Sequence, residues 1–407
     1  MGRNTSKFFV MALVFCYVMI SFTGCGEAEK AYNKAVGLME TGKYEDSLEY
    51  FADAVKKNSE KAEYYIAYGT ALNRTGRYEE AVSQFEKAYQ DTDNQISRQN
   101  NKRLYLGQAV SYYGMGENEK ASEACDKALS YGKDRDIDIK IQSIKASVKL
   151  LMGDTDGAEE IYSDIIKEDS SQDSIYFARG RLYEMLGEDE KALKDYSSAI
   201  KASEKCYDAY FAMYEIYMRL GNSSKAEDIL KNISEMEMET AEEIMQLGRM
   251  YYYKGDYKNA KTNFEKSIKD GCNAALYYMG MVYMAEKDYN TAISRFKEYT
   301  GTGSTEKAPD AYNQIAGCYI ELGDFENASA YIDNGIDYGV TNAGMVLGKN
   351  RVILYERMGR YKKAQKAAKL YLEKYPNDKG MEKELGFIKT RIKTLQLVKN
   401  DTEGNQQ

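Results

Sequence analysis

Residues 75–89 read TGRYEEAVSQFEKAY, and the pattern returns as TGKYEDSLEYFADAV at 41–55, LGEDEKALKDYSSAI at 186–200 and KGDYKNAKTNFEKSI at 254–268. The glycine in second place sets the period. It stands at Gly42, Gly76, Gly116, Gly153, Gly187, Gly221, Gly255, Gly323 and Gly359, with Lys287 in its place once. The steps are 34, 40, 37, 34, 34, 34, 32, 36 and 36 residues. A recurrence near 34 residues marks a stack of like supersecondary units, each too small to bury its apolar face alone.

Five residues after each glycine comes a small side chain, for example Ala81, Ala192, Ala260 and Ala292, and four further on a larger one, Phe85, Tyr196, Phe264 and Phe296. The i, i+4 spacing puts both on one helical face. Ahead of the glycines lies a second helical pattern, in which Gly69, Gly180, Gly248 and Gly280 precede Leu72, Tyr183, Tyr251 and Tyr283 by three residues. A small residue at each of these points lets two helices approach closely. The unit is therefore helix, glycine turn, helix, and no alternating strand pattern is found.

These units resemble tetratricopeptide (TPR) repeats over roughly 28–378, most clearly at 62–95 and 241–274, where the family's Leu-Gly, Tyr, Ala, Phe and Ala positions occur together. Stretches 139–172 and 345–378 are degenerate copies, and the family's late proline stands only at Pro376. The resemblance implies an all-α, right-handed α-solenoid of about ten helix-turn-helix repeats spanning 25–378. MEKELGFIKTRIKTLQLV supplies a capping helix at 379–398, with Leu385, Ile388, Ile392 and Leu395 on one stripe, and 399–407 is a polar tail expected to be disordered. Two irregularities interrupt the array, DTDNQISRQNNK at 91–102 and TGTGSTEKAP at 300–309. Each reads as a surface insertion, since loop lengthening costs little; the alternative is a break between sub-arrays.

The N-terminus is a separate segment. Arg3 and Lys7 precede FFVMALVFCYVMISF, an apolar run too short for a comfortable bilayer span, and then TGCGEAEK. This ending resembles the lipobox of bacterial lipoproteins, which implies that 1–24 is a signal peptide and that Cys25 is diacylated as the new N-terminus. Phe22 departs from the leucine usual there. An ordinary cleaved signal and an uncleaved anchor are the competing readings. On the lipoprotein reading the protein sits on the bacterial cell membrane, lipid-anchored at its extracytoplasmic face. Cys125, Cys206, Cys272 and Cys318 have no CxxC or zinc-like spacing, and Cys125 and Cys318 fall at core positions.

The chain has no histidine, which removes the commonest general base and metal ligand. A net charge of −8 disfavours a nucleic-acid partner. No nucleophile elbow, phosphate loop or dinucleotide fingerprint occurs, and carboxylate pairs such as Glu79/Glu80 suit helix N-termini. The expectation is no enzyme, no cofactor and no metal. The TPR resemblance implies a concave face built from the first helices, whose inward positions here are Phe177, Arg181, Phe211, Glu215, Arg219, Met245, Arg249, Tyr252, Tyr277 and Met281. Aromatics, Met and Arg dominate interface energetics. The family's two-carboxylate clamp is not matched. The reading is a membrane-tethered scaffold that binds a protein or peptide partner. A Tyr-rich concave face that binds glycans or solutes is the alternative, and it is weakened by the absence of Trp.

Overall fold

The computed structural model describes residues 26–91, 94–303, 307–336, 342–375 and 378–404. Cys25 and the rest of the signal-like segment lie outside the described residues, as does Pro376. Among those described there are 21 helices and no strand, and the fold is an all-α solenoid. Ten successive helix pairs run from 26–40 with Tyr44–Lys57 to Asn342–Arg357 with Tyr361–Lys374, followed by a final helix Lys379–Gly404. No described helix is long and apolar enough to cross a membrane.

Each turn between partners is built the same way. Gly76 has φ 75°, and the Gly76 and Arg77 amides donate to Asn73 and Leu72 carbonyls at 3.2 and 2.9 Å, closing the first helix. Left-handed backbone costs a residue with a Cβ about 1 kcal/mol, which is why glycine recurs. Lys287 nevertheless adopts φ 63° with the same pair of bonds, from Lys287 to Met284 and from Asp288 to Tyr283, both 2.9 Å. The fold tolerates one strained copy because its neighbours impose the turn.

Packing within a pair explains the glycines of the first helices. A Cβ at Gly69 would lie 2.7 Å from the Phe85 ring, and at Gly180, Gly248 and Gly280 it would lie 2.6 Å from Tyr196, Phe264 and Phe296. Each fully buried ring rests on bare backbone of the facing helix. Cys125 and Cys318 are fully buried, as expected, and the Cys318 thiol is pushed up to about 12 by burial.

The chain divides into two compact units at 141/142, inside helix Arg135–Leu151, so both 91–102 and 300–309 lie within a unit. The first of these stretches is not the surface loop expected. Its residues from Gln95 form the opening turns of a long helix, Gln95–Met115, and Ser97, Asn100, Asn101 and Lys102 are buried. Asn101 pairs with the Gln90 backbone, accepting from N–H at 3.1 Å and donating to C=O at 2.8 Å. Lys102 donates to the Gly132 carbonyl at 2.5 Å and pairs with Asp138. Buried polar groups need such partners, and hydropathy patterning does not reveal them. In the second stretch the Lys307 amide donates to Tyr299 Oη at 3.1 Å, and Pro309 opens the next helix.

The final helix seats Ile388 fully and Leu385 and Ile392 partly, but Leu395 stays exposed. It also runs on to Gly404, so the polar tail is helical that far; residues 398–404 contain no Pro or Gly before Gly404 to stop it.

Candidate functional site

Four consecutive first helices of the second unit carry the residues expected to face inward: Asp173–Met185, Tyr207–Arg219, Ala241–Tyr253 and Ala274–Ala285. Helix Ala241–Tyr253 is the centre, and its start is closed by a capping box. Thr240 Oγ1 accepts from the Glu243 amide at 3.2 Å, while Glu243 Oε2 accepts from the Thr240 and Glu239 amides at 3.1 and 2.8 Å. Lys205 pairs with the other carboxylate oxygen. The Lys205 ammonium and the two amides hold the Glu243 carboxyl down at about 2.

A carboxyl depressed in the folded state stabilises above its unfolded pKa, near about 4.3, and the contribution is lost as pH falls toward 2. The difference in melting temperature between the parent chain and Glu243→Gln is thus expected to be largest above pH 5 and to close progressively in acid. Thermal melts at a series of pH values test this, and a pH-independent difference would refute it.

Six residues further along, Arg249 is 8% exposed. Its guanidinium lies 4.2 Å from the centre of the Phe211 ring and 4.7 Å from that of Tyr278, one on each neighbouring first helix. Nη1 donates to Asp208 Oδ1 and Gln246 Oε1, both at 2.8 Å. The buried Nε has no acceptor among the described residues. A desolvated donor left unpaired costs about 1–3 kcal/mol. Next to it the Phe211 and Tyr253 rings stack at 5.0 Å, and Tyr253 Oη donates to Glu215 Oε1 at 2.6 Å. Burial and the Glu215 carboxylate push the Tyr253 phenol up.

The other inward positions separate by burial. Phe211, Met245 and Tyr277 are buried, and in this structure they join neighbouring helices instead of facing a partner. Tyr277 packs on Phe296 at 5.5 Å and edge-on to Tyr299 at 5.9 Å. The physical reason is that an inward position on a first helix also faces the next first helix, and a large apolar ring fills that gap. Phe177 is half-buried against Tyr196 at 5.5 Å. Arg181, Glu215 and Arg219 are exposed; Arg181 pairs with Glu184 at 3.0 Å and Arg219 with Asp189 at 2.7 Å. Tyr252 and Met281 are half-buried.

Sequence reasoning missed Tyr253 and Tyr278, which sit one residue beyond chosen positions. The signal was the tyrosine runs 251–253 and 277–278, whose last rings, Tyr253 and Tyr278, reach the adjoining repeat. The last two rings of each run meet edge to face, at 5.6 and 5.2 Å, so the tyrosines pack on one another and do not form one flat platform. No cluster of metal-ligating side chains occurs among the described residues.

Family models described as tetratricopeptide repeat match residues 32–96 and 145–206, 244–269 and 309–338, and 274–300 and 352–378, together more than half of the chain. Similar solved structures include a tetratricopeptide repeat protein from Parabacteroides merdae at 16% identity and TM-score 0.40, covering 60% of this chain and 94% of that one. Pseudomonas aeruginosa pilF matches at 13% identity and TM-score 0.42, covering 52% and 92% respectively. The anaphase-promoting-complex assembly Cut9-Hcn1 matches at 13% identity and TM-score 0.36, covering 89% and 76%. A search of the curated proteins finds no match.

Proposed function

Because this chain is a tetratricopeptide-repeat protein, we propose that it works as a scaffold that binds a segment of a protein partner along the first helices of residues 173–285. The observation that carries this reading is Arg249, whose guanidinium lies over the rings of Phe211 and Tyr278 on the two neighbouring first helices. A guanidinium fixed by stacking is preorganised, so little ordering entropy opposes capture of a carboxylate from the partner. Exposed Arg181 and Arg219 and half-buried Tyr252 and Met281 form the flanking contact surface. On this reading the scaffold has no catalysis of its own. Diacylated Cys25 holds it to the extracytoplasmic face of a bacterial cell membrane, where two acyl chains anchor stably at about 0.8 kcal/mol per buried methylene.

One experiment with two arms tests both halves. Crosslinked cells producing the intact chain are compared with Arg181→Glu/Arg219→Glu/Tyr252→Ser. Arg181 and Arg219 are exposed while their partners Glu184 and Asp189 are half-buried, so circular dichroism and a thermal melt check that the variant keeps its fold. Proteins recovered with the intact chain should be lost with the variant; equal recovery ends the binding-face reading. In the second arm, metabolic labelling with a fatty-acid analogue should mark the intact chain but not Cys25→Ser. Label retained on that variant ends the tethering reading.

A further inference from the structure

The charge of this chain is unevenly distributed. Between 349 and 397 there are 14 Lys and Arg against 5 Asp and Glu, whereas elsewhere 42 face 59. A net excess of nine positive charges thus stands at the C-terminal end of an otherwise acidic protein. That excess already counts the five acids, of which Glu356 and Asp378 pair with Arg391 and Lys349 at 3.1 and 2.7 Å. Lys362, Lys366 and Lys369 are exposed on helix Tyr361–Lys374 and have no ion-pair partner among the described residues. The same holds for Lys379, Lys383 and Lys393 on the final helix.

Apolar groups are interleaved with these cations. At 3.6 residues per turn, Lys379, Lys383, Phe387, Lys393 and Leu397 fall on the side of the final helix away from buried Met381 and Ile388. No acid lies among them. Phe387 is 62% exposed and Leu397 55%. On the other side of the final helix, where Ile392 and Leu395 turn toward helix Tyr361–Lys374, a cleft of about 420 Å³ is lined by these two residues together with Arg360, Tyr361, Lys362 and Lys363.

We propose that this C-terminal end docks on an anionic lipid surface. An acidic protein surface without apolar groups would satisfy the lysines but leave Phe387 and Leu397 without a partner. A bilayer interface takes both, with lysines among the headgroups and the apolar side chains at the acyl boundary. A second copy joined through the same end is disfavoured, because that pairing would set two positively charged surfaces against each other. The proposal is independent of Cys25 and of the first-helix face.

The chain contains no Trp, so Phe387→Trp installs a single indole reporter at the proposed contact. The full-length variant is mixed with phosphatidylcholine vesicles with or without phosphatidylglycerol. Because the signal arises at 387, insertion of the apolar N-terminal segment does not produce it. A blue shift is expected only with phosphatidylglycerol, fading as salt is raised. Adding Lys362→Glu/Lys366→Glu/Lys379→Glu/Lys383→Glu should weaken it at least about tenfold. Those lysines are exposed and unpaired, so folding should persist; if circular dichroism shows otherwise, the salt titration of Phe387→Trp alone decides. No shift with phosphatidylglycerol, an equal shift with phosphatidylcholine alone, insensitivity to salt, or full binding by a folded charge-reversed variant would each overturn the proposal.

Discussion

Phe85→Ala is expected to destabilise its surroundings by about 3–5 kcal/mol. The ring is fully buried and lies against backbone on two sides. A Cβ at Gly69 in its own repeat would come within 2.7 Å of it, and one at Gly107 in the next repeat within 2.2 Å. It is therefore the joint between helices Ala62–Arg74, Tyr78–Ala88 and Gln95–Met115. Neither glycine has a side chain that can swing in to refill the space, so the cavity should collapse poorly. In a repeat array each unit leans mainly on its neighbours, so the loss should be regional. Hydrogen exchange of amides in 62–115 should accelerate by roughly two to three orders of magnitude, with much smaller changes in 241–336. A uniform change along the chain, or an effect below about 1 kcal/mol, would contradict this account of the joint.

The second large effect is expected at Asp195. Arg179 grips its carboxylate in a bidentate pair, Nε to Oδ2 at 2.7 Å and Nη2 to Oδ1 at 2.8 Å, and Nη1 donates to Ser163 Oγ at 2.9 Å. Asp195 is 3% exposed, and the Arg179 side chain 17%. This fork links the helices Thr155–Glu168, Asp173–Met185 and Asp189–Ala202. Asp195→Ala strands a mostly buried guanidinium and should cost about 3 kcal/mol, most of which replacement of both partners by apolar residues should recover. Urea unfolding of Asp195→Ala, Arg179→Met and Arg179→Met/Asp195→Leu measures the cycle. A double variant as unstable as the sum of the singles would show that apolar packing does not replace the pair.

Much of this architecture was legible in the letters because its causes are local. Gly76 needs a left-handed turn, Ala81 and Phe85 share a face by helical spacing, and the recurrence near 34 residues multiplies both signals. The glycines of the first helices were also readable as close approaches, although which ring each one faced was not. The extra turns at 95–102 were read as a loop because Asn100, Asn101 and Lys102 look solvent-loving until Gln90, Gly132 and Asp138 are brought to them.

The candidate site was legible as a set of helical positions and no further. Periodicity by itself determined the helix pairs, their number and the turns between them, whereas the inward side of each first helix was only implied by the resemblance to the repeat family. Tertiary structure alone decided that Phe211, Met245 and Tyr277 are used up between neighbouring helices, that Arg249 is stacked with one donor unsatisfied, and that Tyr253 and Tyr278 complete its surroundings. The physical reason is range. Turn strain and helical spacing act within a few residues, whereas burial and hydrogen-bond partners depend on which repeat's side chains arrive from some 30 to 40 residues away, as Asp208 does for Arg249.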